Sequence, residues 1–118
     1  MPKFEIKELQ VGFEEVAVDI AYQLNYTQKP RSEIAYKHVL FSFFEKGNHG
    51  GELNVRHIGK GISFEVRGPS NTWYAYFEYS YSGEFIRATV DKNDGFPCFI
   101  KIREALEKEM DLLITKGQ

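Results

Sequence analysis

Six aromatic side chains fall within nine residues in Trp73-Tyr-Ala-Tyr-Phe-Glu-Tyr-Ser-Tyr81. As a strand, this segment splits them between two faces. Trp73, Ala75, Phe77, Tyr79 and Tyr81 share one face, expected to be core and to grade into solvent at its end. Tyr74, Tyr76 and Glu78 share the other. Neighbouring strands are expected to add Arg56, Glu65, Arg67, Arg87 and Phe85 to the Tyr74 and Tyr76 side. Tyrosine and arginine together suit protein recognition, and an aromatic sheet can also stack nucleobases. Glu65 and Glu78 on the same face work against a phosphate backbone. The competing reading is that residues 32–46 cover this face.

A second constellation is Glu15, Asp19 and Tyr22, at i, i+4 and i+7 on the side of a helix away from its apolar stripe. Two acids one turn apart repel slightly, so local helix stability does not account for them. They fit a solvated helix face or an acidic, aromatic-tipped contact for a basic protein surface.

Groups that could do covalent or metal chemistry are few. Cys98 is the candidate nucleophile, since a position near a helix N-terminus favours thiolate. It lies between Pro97 and Phe99 without a neighbouring histidine, which fits buried filler. His38, His49 and His57 fall on different elements, with no i,i+4 pair. Asp91-Lys-Asn-Asp-Gly95 lacks the ligand spacing of a calcium loop. The glycines of residues 47–51 are followed by no Lys-Ser/Thr, and no dinucleotide-binding, zinc-protease or nucleophile-elbow motif occurs. No metal and no cofactor are expected.

The elements that must position these residues follow from periodicity. Phe13, Val16, Ala17, Ile20, Ala21 and Leu24 repeat at helical spacing, predicting a helix from about Gly12 to Asn25. Residues 3–9 read as a short strand or a lead-in. Asn25 to Arg31 is a polar break. Ser32–Tyr36 reads as helix with Ser32 as cap, and residues 37–45 as its continuation or a strand. After a loop over Lys46–Gly51 the period becomes two. Strands turn at Gly59-Lys60, at Pro69–Asn71 and at Ser82-Gly83, the last two spanning Thr72–Ser80 and Glu84–Val90. A helix near the C-terminus has Pro97 in its first turn and Phe99, Ile102, Leu106, Met110 and Leu113 as its buried stripe. The expected fold is α+β: an antiparallel meander of four to five strands packed on N- and C-terminal helices, residues 1–118 forming one domain.

A chain of 118 residues, 42% of them hydrophobic, can bury roughly 65% of its unfolded surface without metal or disulfide. One cysteine fits a reducing, cytoplasmic compartment. No apolar run approaches a membrane span, and no signal peptide is read at the start. Lysine and arginine number 15 against 17 acids. The balance also holds locally, so no basic stretch marks a nucleic-acid footprint.

The functional expectation is a non-catalytic protein-binding module. Within that class, a small inhibitor or immunity-type protein that neutralises a toxin or effector fits best. Glu15, Asp19, Tyr22, Tyr74 and Tyr76 are the expected partner contacts. The partner is expected to be a protein with a basic surface, bound more weakly as salt rises. The alternatives are single-stranded nucleic-acid binding on the aromatic sheet and a small-molecule site or enzyme using Cys98 or a histidine. Either a monomer or a homodimer is compatible with an uncovered aromatic face.

Overall fold

Leu9, Phe13, Val16, Ala17, Ile20 and Ala21 form one buried stripe along the first helix. Their spacing of three and four residues is what a helix needs to turn a single face to a sheet. The computed structural model describes residues 5–69, 74–91 and 99–116. They form helix α1 (Ile6–Gln23) and six strands: β1 (Arg31–Ala35), β2 (His38–Glu45), β3 (Asn48–Ile58), β4 (Gly61–Arg67), β5 (Tyr74–Ser80) and β6 (Phe85–Asp91). Helix α2 (Phe99–Lys116) follows. The strands pair antiparallel in chain order, so the sheet is an open meander with β1 and β6 as its edges. Both helices pack on one face, giving the expected α+β architecture with six strands rather than four to five. No described helix is long and apolar enough to cross a membrane.

Alternation along the strands sorts the sheet. Val39, Phe41 and Phe43 of β2, Leu53 and Val55 of β3, Ile62, Phe64 and Val66 of β4, and Ala75, Phe77 and Tyr79 of β5 point toward the helices and are buried. With the stripe of α1 and with Ile102, Leu106, Met110 and Leu113 of α2 they make one core. Phe64 sits at its centre, its ring 5.1 Å from Phe13 and 5.8 Å from Tyr79. Each fully buried Phe contributes roughly 2–3 kcal/mol of transfer free energy.

Three sequence expectations are corrected. Helix α1 begins at Ile6, not Gly12, because Leu9 extends the buried stripe one turn before Phe13. Ser32–Tyr36 is not a helix: Arg31–Ala35 is edge strand β1, paired with β2 from Arg31↔Ser42 to Ala35↔His38. The strand option for residues 37–45 is the one adopted. Helical spacing of Tyr36, Val39, Leu40 and Phe43 competed with alternation of Val39, Phe41 and Phe43, and pairing of β2 with β3 decides for alternation. The Lys46–Gly51 loop is only a two-residue turn. Lys46 (φ 51°) and Gly47 (φ 84°) both take the left-handed conformation, as a tight hairpin requires, and Asn48 already begins β3.

Helix α1 stops where Asn25 adopts φ 63°. Tyr26 N–H then donates to the Ala21 carbonyl at 2.9 Å and Asn25 N–H to Tyr22 at 3.1 Å, a Schellman cap. The cap turns Tyr26 back onto the sheet, where it stacks on Phe43 at 5.4 Å and its hydroxyl donates to the Gly50 carbonyl.

Candidate functional site: the two outer surfaces

The face of the sheet away from the helices carries three cross-strand rows. One contains Ser42, Glu52, Arg67 and Tyr74; the next Leu40, Asn54, Glu65 and Tyr76; the third His38, Arg56, Ser63, Glu78 and Arg87. Tyr74 and Tyr76 therefore stand on this face, as alternation predicted. Residues 32–46 do not cover it, because they are strands of the same sheet.

The face is knitted by its own polar groups. Tyr74 Oη donates to Glu65 at 3.0 Å, and Arg67 holds Glu65 at 2.5 Å and Glu52 at 3.7 Å. Tyr76 Oη donates to Glu78 at 2.6 Å. Arg87 grips both oxygens of Glu78, at 2.9 and 3.1 Å, and Lys60 approaches at 3.9 Å. Glu78 is only 4% exposed. The Tyr76 hydrogen bond holds its carboxyl below the usual range; burial opposes this, and Arg87 and Lys60 reinforce it. Burial and then their carboxylate partners push the Tyr74 and Tyr76 phenols up. Arg67 and Arg87 are thus already neutralised by acids on their own strands or the next.

Two expectations about this strand pair change. Phe85 lies on the helix side: a register shift between Glu78 and Tyr79 pairs it with Tyr79, and the Arg103 guanidinium of α2 lies 4.1 Å above its ring. Tyr81 does not grade into solvent; it is 7% exposed and its hydroxyl meets His57 Nδ1 at 2.9 Å. Trp73, Cys98 and most of the Asp91–Gly95 run lie outside the described residues. Among the described residues no three His, Cys, Asp or Glu side chains gather as a metal site.

The second surface is the outside of the helix layer. Glu15, Asp19 and Tyr22 are exposed there, Tyr22 at 81%. They share a shallow groove with Val16 and Val18 of α1 and with Ala105, Lys108 and Glu109 of α2. Gly12 faces Glu109 and Leu113, whereas Tyr22 lies beside Lys101, so the two helices run antiparallel. Val11 (68% exposed), Val18 (39%) and Leu112 (45%) leave apolar side chains uncovered along this surface. Sequence reading missed that second stripe, although Val11, Val18 and Tyr22 recur at i, i+7 and i+11. The buried stripe was the stronger signal and absorbed the helix.

No family model, no curated protein and no solved structure matches this chain. The geometry must carry any functional reading alone. It brings Glu15, Asp19 and Tyr22 together and sets Tyr74 and Tyr76 apart from them, with the sheet and the core between the two groups. One flat contact cannot touch all five.

Proposed function

We propose that this chain is a non-catalytic protein-binding module of the inhibitor or immunity type, which neutralises a toxin or effector protein presenting a basic surface. The observation that carries the reading is the outer face of α1. Glu15 and Asp19 are exposed there beside Tyr22 and two uncovered valines, an arrangement that serves neither helix stability nor the core. Exposed apolar side chains rimmed by charge are what an interface offers. The contact set narrows to Glu15, Asp19 and Tyr22, with Tyr74 and Tyr76 left to the network of the sheet. The pairing of Arg67 and Arg87 with glutamates supports a protein over a nucleic-acid ligand, because those cations are not free to displace counterions. A cytoplasmic setting suits the reading.

The test is capture of a partner from nuclease-treated lysate of the source organism on the immobilised chain and on its Glu15→Lys/Asp19→Lys variant. One stoichiometric, basic protein retained by the first and lost by the second is the expected result. Retention of nucleic acid before nuclease treatment, or of a protein indifferent to the two substitutions, would overturn the proposal.

A further inference from the structure

We infer that the groove between α1 and α2 receives an amphipathic helix whose polar face is basic. This rests on the protein-binding reading and adds the shape and chemistry of the occupant.

The groove has the form that helix-in-groove recognition uses. Its walls are two antiparallel helices of 18 residues each. Its floor is Val16 and Ala105, small enough to let a third helix settle between the walls. Along α1 the exposed apolar residues Val11, Val18 and Tyr22 recur at heptad-like spacing, and Leu112 lies one turn beyond Lys108 on α2. A helix laid along this seam would meet them with residues at i, i+3, i+4 and i+7, extending two packed helices to three.

Charge selects among the occupants. Glu15 and Asp19 line the α1 wall of the groove; Lys108 and Glu109 line the α2 wall, and Lys101 lies beside Tyr22 at one end. A second copy of this chain would bring an α1 wall bearing the same two acids, and so add no net complementary charge. A basic polar face would instead meet them with opposite charge, giving fast association and discrimination against acidic partners.

The experiment is a fluorescence-anisotropy titration of the intact chain with a labelled peptide of about 18 residues, leucine on one helical face and lysine on the other. Its controls are a scrambled peptide of the same composition and a Leu/Glu counterpart. Only the patterned Leu/Lys peptide is expected to bind. Binding should weaken about tenfold or more in Glu15→Lys/Asp19→Lys, and comparably in Ala105→Gln, which fills the groove floor. Glu33→Lys/Glu45→Lys changes the net charge equally on the sheet and should leave binding nearly intact. Equal binding of the scrambled peptide, or equal loss with both lysine pairs, would show charge attraction without a groove and overturn the inference. So would a dimer of the chain abolished by Ala105→Gln. If capture from lysate depends on Glu15 and Asp19 while the Leu/Lys peptide fails to bind, the helix occupant is wrong and the protein-binding reading stands. If capture is also indifferent to them, both fall.

Discussion

Tyr79 Oη donates a hydrogen bond to Glu107 Oε1 at 2.6 Å, tying the fifth strand of the sheet to the second helix. Arg103 Nε reaches the same oxygen at 2.8 Å while its guanidinium lies over Phe85, so Arg103 links the carboxylate to the sixth strand as well. Burial pushes the Glu107 carboxyl up, but the hydrogen bonds from Tyr79 and Arg103 outweigh it and leave the group below its ordinary value. The Tyr79 phenol is pushed up, by burial first and by Glu107 second.

Replacing Tyr79 by Phe keeps the ring in the core and removes only this tie. The expected loss is about 1.5–3 kcal/mol, the range for a hydrogen bond to a charged group. Urea denaturation checks it, and a midpoint equal to that of the unsubstituted chain would show that the bond does not anchor α2.

Acid should destabilise the fold through Glu78 and Glu107. Both carboxyls lie below the ordinary glutamate value of 4.5 in the folded state. Their contribution is therefore complete above 4.5 and is lost as pH falls below it through the folded values. A melting temperature flat from neutrality to about pH 5 and falling below is expected, with the fall shallower in Glu78→Gln/Glu107→Gln.

At the alkaline end the sign reverses. Burial, and then Glu45, push Tyr26 from 10.0 up to about 12. Its contribution is complete below 10.0 and is lost as pH rises toward 12. Tyr26→Phe should remove part of the alkaline decline in melting temperature; an unchanged decline would assign it to other groups.

Three glycines should respond to alanine in a fixed order. At Gly61 an added Cβ would stand 1.9 Å from the Tyr79 carbonyl oxygen of the paired strand, and backbone cannot rotate aside. At Gly47 there is open space but φ is +84°, which costs a side-chain-bearing residue about 1–2 kcal/mol. At Gly59 there is open space and no such backbone demand. Thermal melts should therefore rank Gly61→Ala far below Gly47→Ala, and Gly47→Ala below Gly59→Ala.

Tyr22 and Phe13 separate surface from core on one helix. Tyr22→Ala should leave stability within about 0.5 kcal/mol while impairing partner capture. Phe13→Ala, at a wholly buried position, should cost about 3–5 kcal/mol. A large stability loss in Tyr22→Ala would mean that the tyrosine is held by the fold rather than offered to a partner.

The amino-acid sequence by itself determined the helix through Phe13, Val16 and Ile20, the alternation that puts Tyr74 and Tyr76 opposite Ala75 and Phe77, and the α+β class. Each follows from local periodicity, which a side chain carries wherever the chain goes. It also placed Glu15, Asp19 and Tyr22 on the outside of their helix, because they fall opposite the apolar stripe.

Only the tertiary structure decided the rest. Residues 36–44 satisfy both periods, and hydrogen bonding of β2 to β3 selects the strand; pairing of β1 with β2 does the same for the segment before them, which reads as helix in the sequence. Phe85 changes face because one register shift inverts the alternation, a matter of pairing that no residue of β6 announces. The groove between Val18 and Ala105 exists because two helices separated by the whole sheet in the chain lie antiparallel on one face of it. Helical spacing gives each its outer face, but their juxtaposition comes from burying two separate stripes in the same core.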